Sequence, residues 1–184
     1  MTIDSFESIL APPKSLAAQT PSAELWLAIE ERLGIALPAD YKAFILRFGT
    51  GCIDEFLWVY SPFTSNENLN LLTRAAQVRE GFQTLRMSPF DEVPYPLFPE
   101  HGGLLSWGAT ANGDFLFWRT QGAPDRWSIV VAEARAPLYQ EFALQTTDFL
   151  SGLLQRKVVC SIFPSDFPSG EPRFVPTQGS TPSE

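Results

Sequence analysis

Apolar residues recur along this chain at two periods, and the change from one to the other divides it. Leu25, Trp26, Ile29 and Leu33 fall on one helical face, with Thr20-Pro21 as N-cap and first-turn proline and Gly34 as the stop. Pro38 opens a second helix, in which Tyr41, Phe44, Ile45 and Phe48 take the i, i+3, i+4, i+7 positions before Gly49 and Gly51 end it. A third, longer helix is expected from the stripe Leu71, Ala75, Val78, Phe82 and Leu85, entered through Thr64 and Glu67 at capping-box spacing. Gly81 weakens its last turn.

Strand patterns occupy the middle of the chain. Residues 56–60 form a short aromatic and β-branched run between Asp54-Glu55 and Ser61-Pro62. Residues 88–103 hold Pro89, Pro94, Pro96 and Pro99, which predicts a loop with at most a short edge strand near Val93. Three strands follow at residues 104–107, 114–118 and 127–132, the first two joined through Asn112-Gly113, and they imply an antiparallel meander. Phe115 and Phe117 alternate with Leu116 and Trp118, the pattern of a central strand covered on both faces. Thr146, Thr147 and Asp148 announce a closing helix carrying Phe149, Leu150, Leu153 and Leu154, and residues 158–163 read as extended.

Helices, then paired strands, then a helix describe an α+β fold. We expect an antiparallel or mixed sheet with a three-strand meander, packed against the N-terminal helices and a C-terminal helix. Residues 1–19 read as an N-terminal extension and 20–163 as a single domain. Residues 164–184 form a Pro-rich tail, partly disordered, which Phe163, Phe167 and Phe174 could anchor to the body.

The composition of 184 residues, 45% hydrophobic and 18% charged, suits one globular domain that folds without staples. Asp4 and Glu7 stand where a secretory signal would be basic, and no window approaches a membrane-spanning length, so a cytoplasmic protein is expected. Cys52 and Cys160 lie far apart and outside any C-x-x-C, which favours two buried thiols over a disulfide.

Candidate chemistry is sparse. With one histidine and two cysteines the chain has no metal-ligand framework. His101 follows Glu100, which could orient an imidazole, but no nucleophile motif accompanies it and a solvent-facing loop is the favoured reading. Ser106 lies inside a strand pattern and lacks the G-x-S-x-G elbow. The glycines at 102–103 and 108–113 open no helix, so they read as turns and not as a phosphate cradle. No catalytic residue, cofactor or metal is assigned.

Charge narrows the field further. Twenty-one acidic residues against 13 Lys plus Arg give a net charge of −8, which disfavours direct nucleic-acid or anionic-membrane binding. Seven acids fall in two stretches without a base: Asp54, Glu55 and Glu67 in residues 48–73, and Asp91, Glu92, Glu100 and Asp114 in residues 87–118. They form either a solvated surface or a docking surface for a basic partner, with Asp54, Glu55, Asp91, Glu92 and Glu100 as the candidates.

Two groups of motifs then read as a pair. Trp26-x-x-Ile29-Glu30-x-Arg32-Leu33-Gly34, Leu37-Pro38-x-Asp40-Tyr41-Lys42-x-Phe44 and Phe48-Gly49-x-Gly51 resemble the opening of the SUKH (Smi/Knr-like) superfamily. Gly103-Leu104-Leu105-Ser106-Trp107-Gly108, Asn112-Gly113-Asp114, Trp118, Pro124-Asp125-x-Trp127 and Thr147-Asp148-Phe149-Leu150 resemble its strand block and closing helix. The resemblance spans residues 26–154. It implies an α+β domain without catalysis or cofactor, and for bacterial members an immunity protein that neutralises a polymorphic toxin; the unopposed acids suit a basic one such as a nuclease. The alternative it leaves open is a regulatory or scaffold module without a toxin partner.

Overall fold

The computed structural model describes residues 2–14, 21–87 and 93–177. Along the chain run α1 (Ile3–Glu7), α2 (Ala23–Leu33), α3 (Ala39–Phe48), β1 (Gly51–Ile53), β2 (Leu57–Val59) and α4 (Leu71–Arg86). There follow β3 (Leu104–Thr110), β4 (Phe115–Arg119), a 3₁₀ turn (Pro124–Arg126), β5 (Ser128–Ala132), β6 (Tyr139–Phe142), α5 (Thr146–Leu154) and β7 (Phe174–Pro176). The expected α+β class holds, with a larger sheet than the meander alone. Seven strands pair in the order β6-β5-β4-β3-β2-β1-β7, every neighbour antiparallel.

The local signals explain most element boundaries. Gly34 ends α2 in the left-handed conformation, with φ 74°, a conformation that costs a side chain-bearing residue more than glycine. Ser22, not Thr20, caps α2 by accepting from the Leu25 amide; Thr20 lies outside the described residues. The capping box expected at Thr64 and Glu67 does not form. Thr64 Oγ1 instead accepts from Asn66 N in a local turn, and Asn70 Oδ1 accepts from Leu72 N and Thr73 N to start α4. The extended segment expected at residues 158–163 forms no strand; bends stand at 158 and 163 and a turn at 161–162.

The two-sided apolar pattern of β4 is met by helices on both faces of the sheet. Leu116 and Trp118 face the larger core, which holds Trp26 and Ile29 of α2, Tyr41, Phe44 and Phe48 of α3, and Phe149, Leu150 and Leu153 of α5. Phe6 and Leu10 near the N-terminus and Phe174 of β7 belong to this same core. Phe117 faces the other way, into a smaller core with Val78 and Phe82 of α4, Leu104, Val130 and Ala132. Sequence-adjacent side chains alternate across a strand, so α4 and the other helices occupy opposite layers. Among the described residues no helix is long and apolar enough to cross a membrane.

Gly81 stands in the interior of α4, where a Cβ would meet nothing within 4 Å. Helical glycine disfavours the helix relative to alanine through its backbone entropy. Gly81→Ala should therefore stabilise the fold by roughly 0.5–1 kcal/mol, read as a rise in the urea midpoint at unchanged slope. A lower midpoint would show that the fold itself needs the empty position.

Candidate functional site

The proposed acidic residues sit in three different environments. Asp54 and Glu55 make the β1–β2 turn with φ of 52° and 55°, and Phe56 N donates to Ile53 O at 3.0 Å to close it. Two successive left-handed residues suit the twist of a tight hairpin. Asp54 uses that position to hold the C-terminal segment. Its Oδ2 accepts from Ser169 N and its Oδ1 from Arg173 N, each at 2.8 Å, while its own amide donates to Arg173 O at 2.9 Å. β7 begins at the next residue, Phe174, whose ring packs edge-on against Phe44 and Phe48. Glu55 stays exposed at the tip of the turn.

Glu100 is exposed but not unopposed, because Arg86 at the end of α4 donates to its Oε1 at 2.7 Å. Asp114, only 3% exposed, is consumed by the β3–β4 hairpin and the turn after β5: Oδ2 accepts from Thr110 Oγ1 at 2.7 Å and Oδ1 from Ala134 N at 3.1 Å. Asp91 and Glu92 lie outside the described residues. Nor do Glu55 and Glu100 share a patch. Leu57, just past Glu55, pairs with Thr110 at one end of β3, whereas Glu100 precedes Leu104 at the other. A seven-residue strand spans roughly 20 Å.

The candidate chemical residues are equally dispersed. His101 is exposed beside Glu100. Ser106 is buried in β3, its hydroxyl without a hydrogen-bond partner, next to a bulge that shifts the β3–β4 register. Burial pushes the Cys52 thiol up to about 12 and raises that of Cys160 as well, so both free thiols are protonated and inert at neutral pH.

A different pair of carboxylates, Asp40 and Asp125, does converge. Asp125 Oδ1 accepts from Ala39 N at 2.7 Å and so caps α3 from the 3₁₀ turn. Asp40, one residue into α3, caps α5: its Oδ2 accepts from Thr147 N at 2.7 Å and Thr147 Oγ1 at 3.1 Å, while Oδ1 takes Tyr41 N. Helix starts leave unpaired amides carrying partial positive charge, and each carboxylate satisfies one from another element. A cavity of about 360 Å³ opens beside them, lined also by Thr2, Ile3, Ala43 and Gln145. Burial raises the Asp40 carboxyl above its ordinary range, against the lowering pull of the Thr147 and Tyr41 donors.

The next side chain continues the network. Tyr41 donates its hydroxyl to Tyr60 O at 2.6 Å and sets its ring edge-on to Trp118 at 4.8 Å. Trp118 Nε1 in turn donates to Thr146 Oγ1 at 3.0 Å, at the first residue of α5. The sequence pattern placed Tyr41 on a helix face, Trp118 in a central strand and Thr146 at a helix start; that they bond to one another emerges only in the fold.

A seven-stranded antiparallel sheet covered by helices on both faces, its polar network joining helix starts, defines an α+β domain. The family model described as SMI1-KNR4 cell-wall (SUKH_6) matches residues 23–150, from the first residue of α2 into α5, and the chain belongs to the SUKH superfamily. No curated protein and no solved structure matches it significantly.

The two turn acids should separate on mutation. Asp54→Ala removes two N–H acceptors and places alanine at positive φ, costing about 1–3 kcal/mol and opening residues 164–177 to limited proteolysis. Glu55→Lys should stay within about 0.5 kcal/mol of the parent; equal effects would contradict the clamp.

Asp40 gives a pH signature of known sign. Its folded pKa is raised, so the native state binds the proton more tightly than the unfolded chain. The cost of burying the ionised form is fully present at neutral pH and is relieved as pH falls through the folded pKa toward 3.8. Against Asp40→Asn, which cannot titrate, the parent should gain relative stability across that window in urea titrations. A relative loss would reverse the assignment.

Proposed function

We propose that this chain is a non-enzymatic protein-binding domain of the immunity type, which neutralises a cognate polymorphic toxin in the cytoplasm by occluding it. The observation that carries the reading is membership of the SUKH superfamily over residues 23–150, which overlaps the motifs of residues 26–154 that resemble the same superfamily, whose bacterial members are immunity proteins. Two further features support it. The residues that could have carried chemistry are dispersed: His101 lies in an exposed turn, Ser106 is buried in a strand, and both thiols are protonated. The surplus of acid suits a basic toxin such as a nuclease, which a negatively charged partner attracts at long range.

The acidic contact narrows accordingly. Asp54 is committed to the tail and Glu100 to Arg86, so the proposed docking role rests on Glu55 at the hairpin tip together with Asp91 and Glu92. A second reading, a regulatory or scaffold module, draws on the family description, which names the cell wall.

Co-expression with any toxin encoded beside this gene tests the proposal. Growth should be rescued, and the purified pair should associate more slowly as ionic strength rises. Glu55→Lys should slow association several-fold while leaving dissociation nearly unchanged, as rim charges do. A solitary gene, with no rescue from any candidate toxin, would discard the toxin reading in favour of the scaffold one. Salt-insensitive association would discard the electrostatic contact alone.

A further inference from the structure

The outer flank of α4 carries a groove that the described residues leave open. Val78, Gly81, Phe82 and Leu85 of α4 and Phe115 of β4 enclose about 350 Å³, with Arg74 and Gln77 at one end. Val78 and Phe82 are buried and form the floor, while Leu85 is 40% exposed and Met87, just past the helix, is 87% exposed. Free apolar walls of this kind are what a partner's side chain covers.

Gly81 sits where the groove is open. A Cβ there would meet nothing within 4 Å, so neither a close approach nor a left-handed backbone requires glycine in the middle of this helix. The missing side chain deepens the groove and lets an incoming group reach the backbone.

Charge selects the occupant. In a chain of net charge −8, α4 carries Arg74, Arg79 and Arg86 against Glu80 alone. Arg86 is neutralised by Glu100. Arg74, at the groove's end, bonds only neutral acceptors, Gln77 Oε1 at 2.8 Å and the Tyr60 hydroxyl at 3.4 Å, and lies 5.7 Å from the Tyr60 ring centroid. Among the described residues no carboxylate forms an ion pair with Arg74 or Arg79. A half-buried guanidinium without an anion is complementary to a carboxylate brought by a partner.

We propose that this groove receives an acidic amphipathic segment of a partner protein, an apolar side chain resting over Gly81 between Leu85 and Phe115 and a carboxylate reaching Arg74. Arg74 and Gly81 are two helical turns apart, roughly 10 Å. The two groups of the segment therefore stand seven residues apart in a helix, or two or four apart in an extended strand, where alternate residues share a face. The proposal rests on the reading of this chain as a protein-binding domain and is independent of whether the partner is a toxin.

The test uses a random 12-residue phage-displayed peptide library selected on the intact folded chain. Selected peptides should pair Leu, Phe, Met or Trp with Asp or Glu at one of those spacings, and should shift the backbone amide NMR signals of α4 and of Phe115. Gly81→Leu, which fills the groove, and Arg74→Glu, which reverses its charge, should each weaken binding about tenfold or more. Gly81→Ala and Arg74→Lys serve as folded controls that keep most of the affinity. Basic or unpatterned peptides, no enrichment, shifts mapped elsewhere, or folded Gly81→Leu and Arg74→Glu proteins that bind like the parent would each overturn the proposal. A chain that rescues growth from a toxin but fails this selection loses the groove alone. One that binds acidic peptides on α4 but rescues from no toxin loses the toxin reading alone.

Discussion

With Leu116 and Trp118 on one side of β4 and Phe115 and Phe117 on the other, neither face of the sheet can be left to water, and the placement of the helices follows from that constraint. Strands β1 to β6 pair in chain order, so the connections decide which face each helix covers. The long passage between the neighbouring strands β2 and β3 contains α4 and crosses the face of Phe117, Val130 and Leu104. The other face receives α2 and α3 from before the sheet and α5 from after it. Because α3 and α5 reach that face from opposite ends of the sequence, their relative position needs a direct bond, which the Asp40 carboxylate supplies at the first turn of α5.

The parts of this arrangement that were legible in the sequence are those set by local periodicity. The apolar faces of α2, α3 and α5 and the core of the meander are repeated often enough in the chain to define their elements. The short strands β1, β6 and β7 were not legible, because three or four residues give no period and their pairing is fixed by partners distant in sequence. The start of α4 misled for a different reason. Thr64 and Glu67 carry the right residue types at the right spacing, but the Thr64 hydroxyl is captured by the Asn66 amide, and the chain turns on to Asn70 before the helix begins. The N-terminal Phe6 looks like a stray aromatic along the chain, and Phe174 like an anchor for the tail with no stated partner. Folded, they meet across Phe44 and Phe48.

Charge was the least legible property, since a run of acids without bases says nothing about which bases lie beside it in space. Arg86 reaches Glu100 across a fourteen-residue gap, and the amides that saturate Asp54 come from more than a hundred residues away. Asp114 serves its own hairpin and the turn after β5. A basic surface was missed by the same logic: the arginines of α4 are diluted by its apolar stripe when counted in order, and only the helix geometry aligns Arg74 with Gly81 and Leu85 along one groove.

The residues that carry the superfamily resemblance are bound to one another. Asp40 holds Thr147, Tyr41 packs on Trp118, Trp118 bonds Thr146, and Asp125 caps the helix that bears Asp40 and Tyr41. Side chains whose polar atoms are already paired inside the domain have little left to offer a partner, and altering them disturbs several elements together. Recognition then falls to positions the network does not use. Glu55 projects from a turn whose clamp is made by its neighbour Asp54, and Gly81 faces space that no core side chain enters. Both can change in charge or size at small cost to the fold. A domain that must fit one particular partner while keeping its architecture gains specificity most cheaply at such sites, because binding there is decoupled from stability.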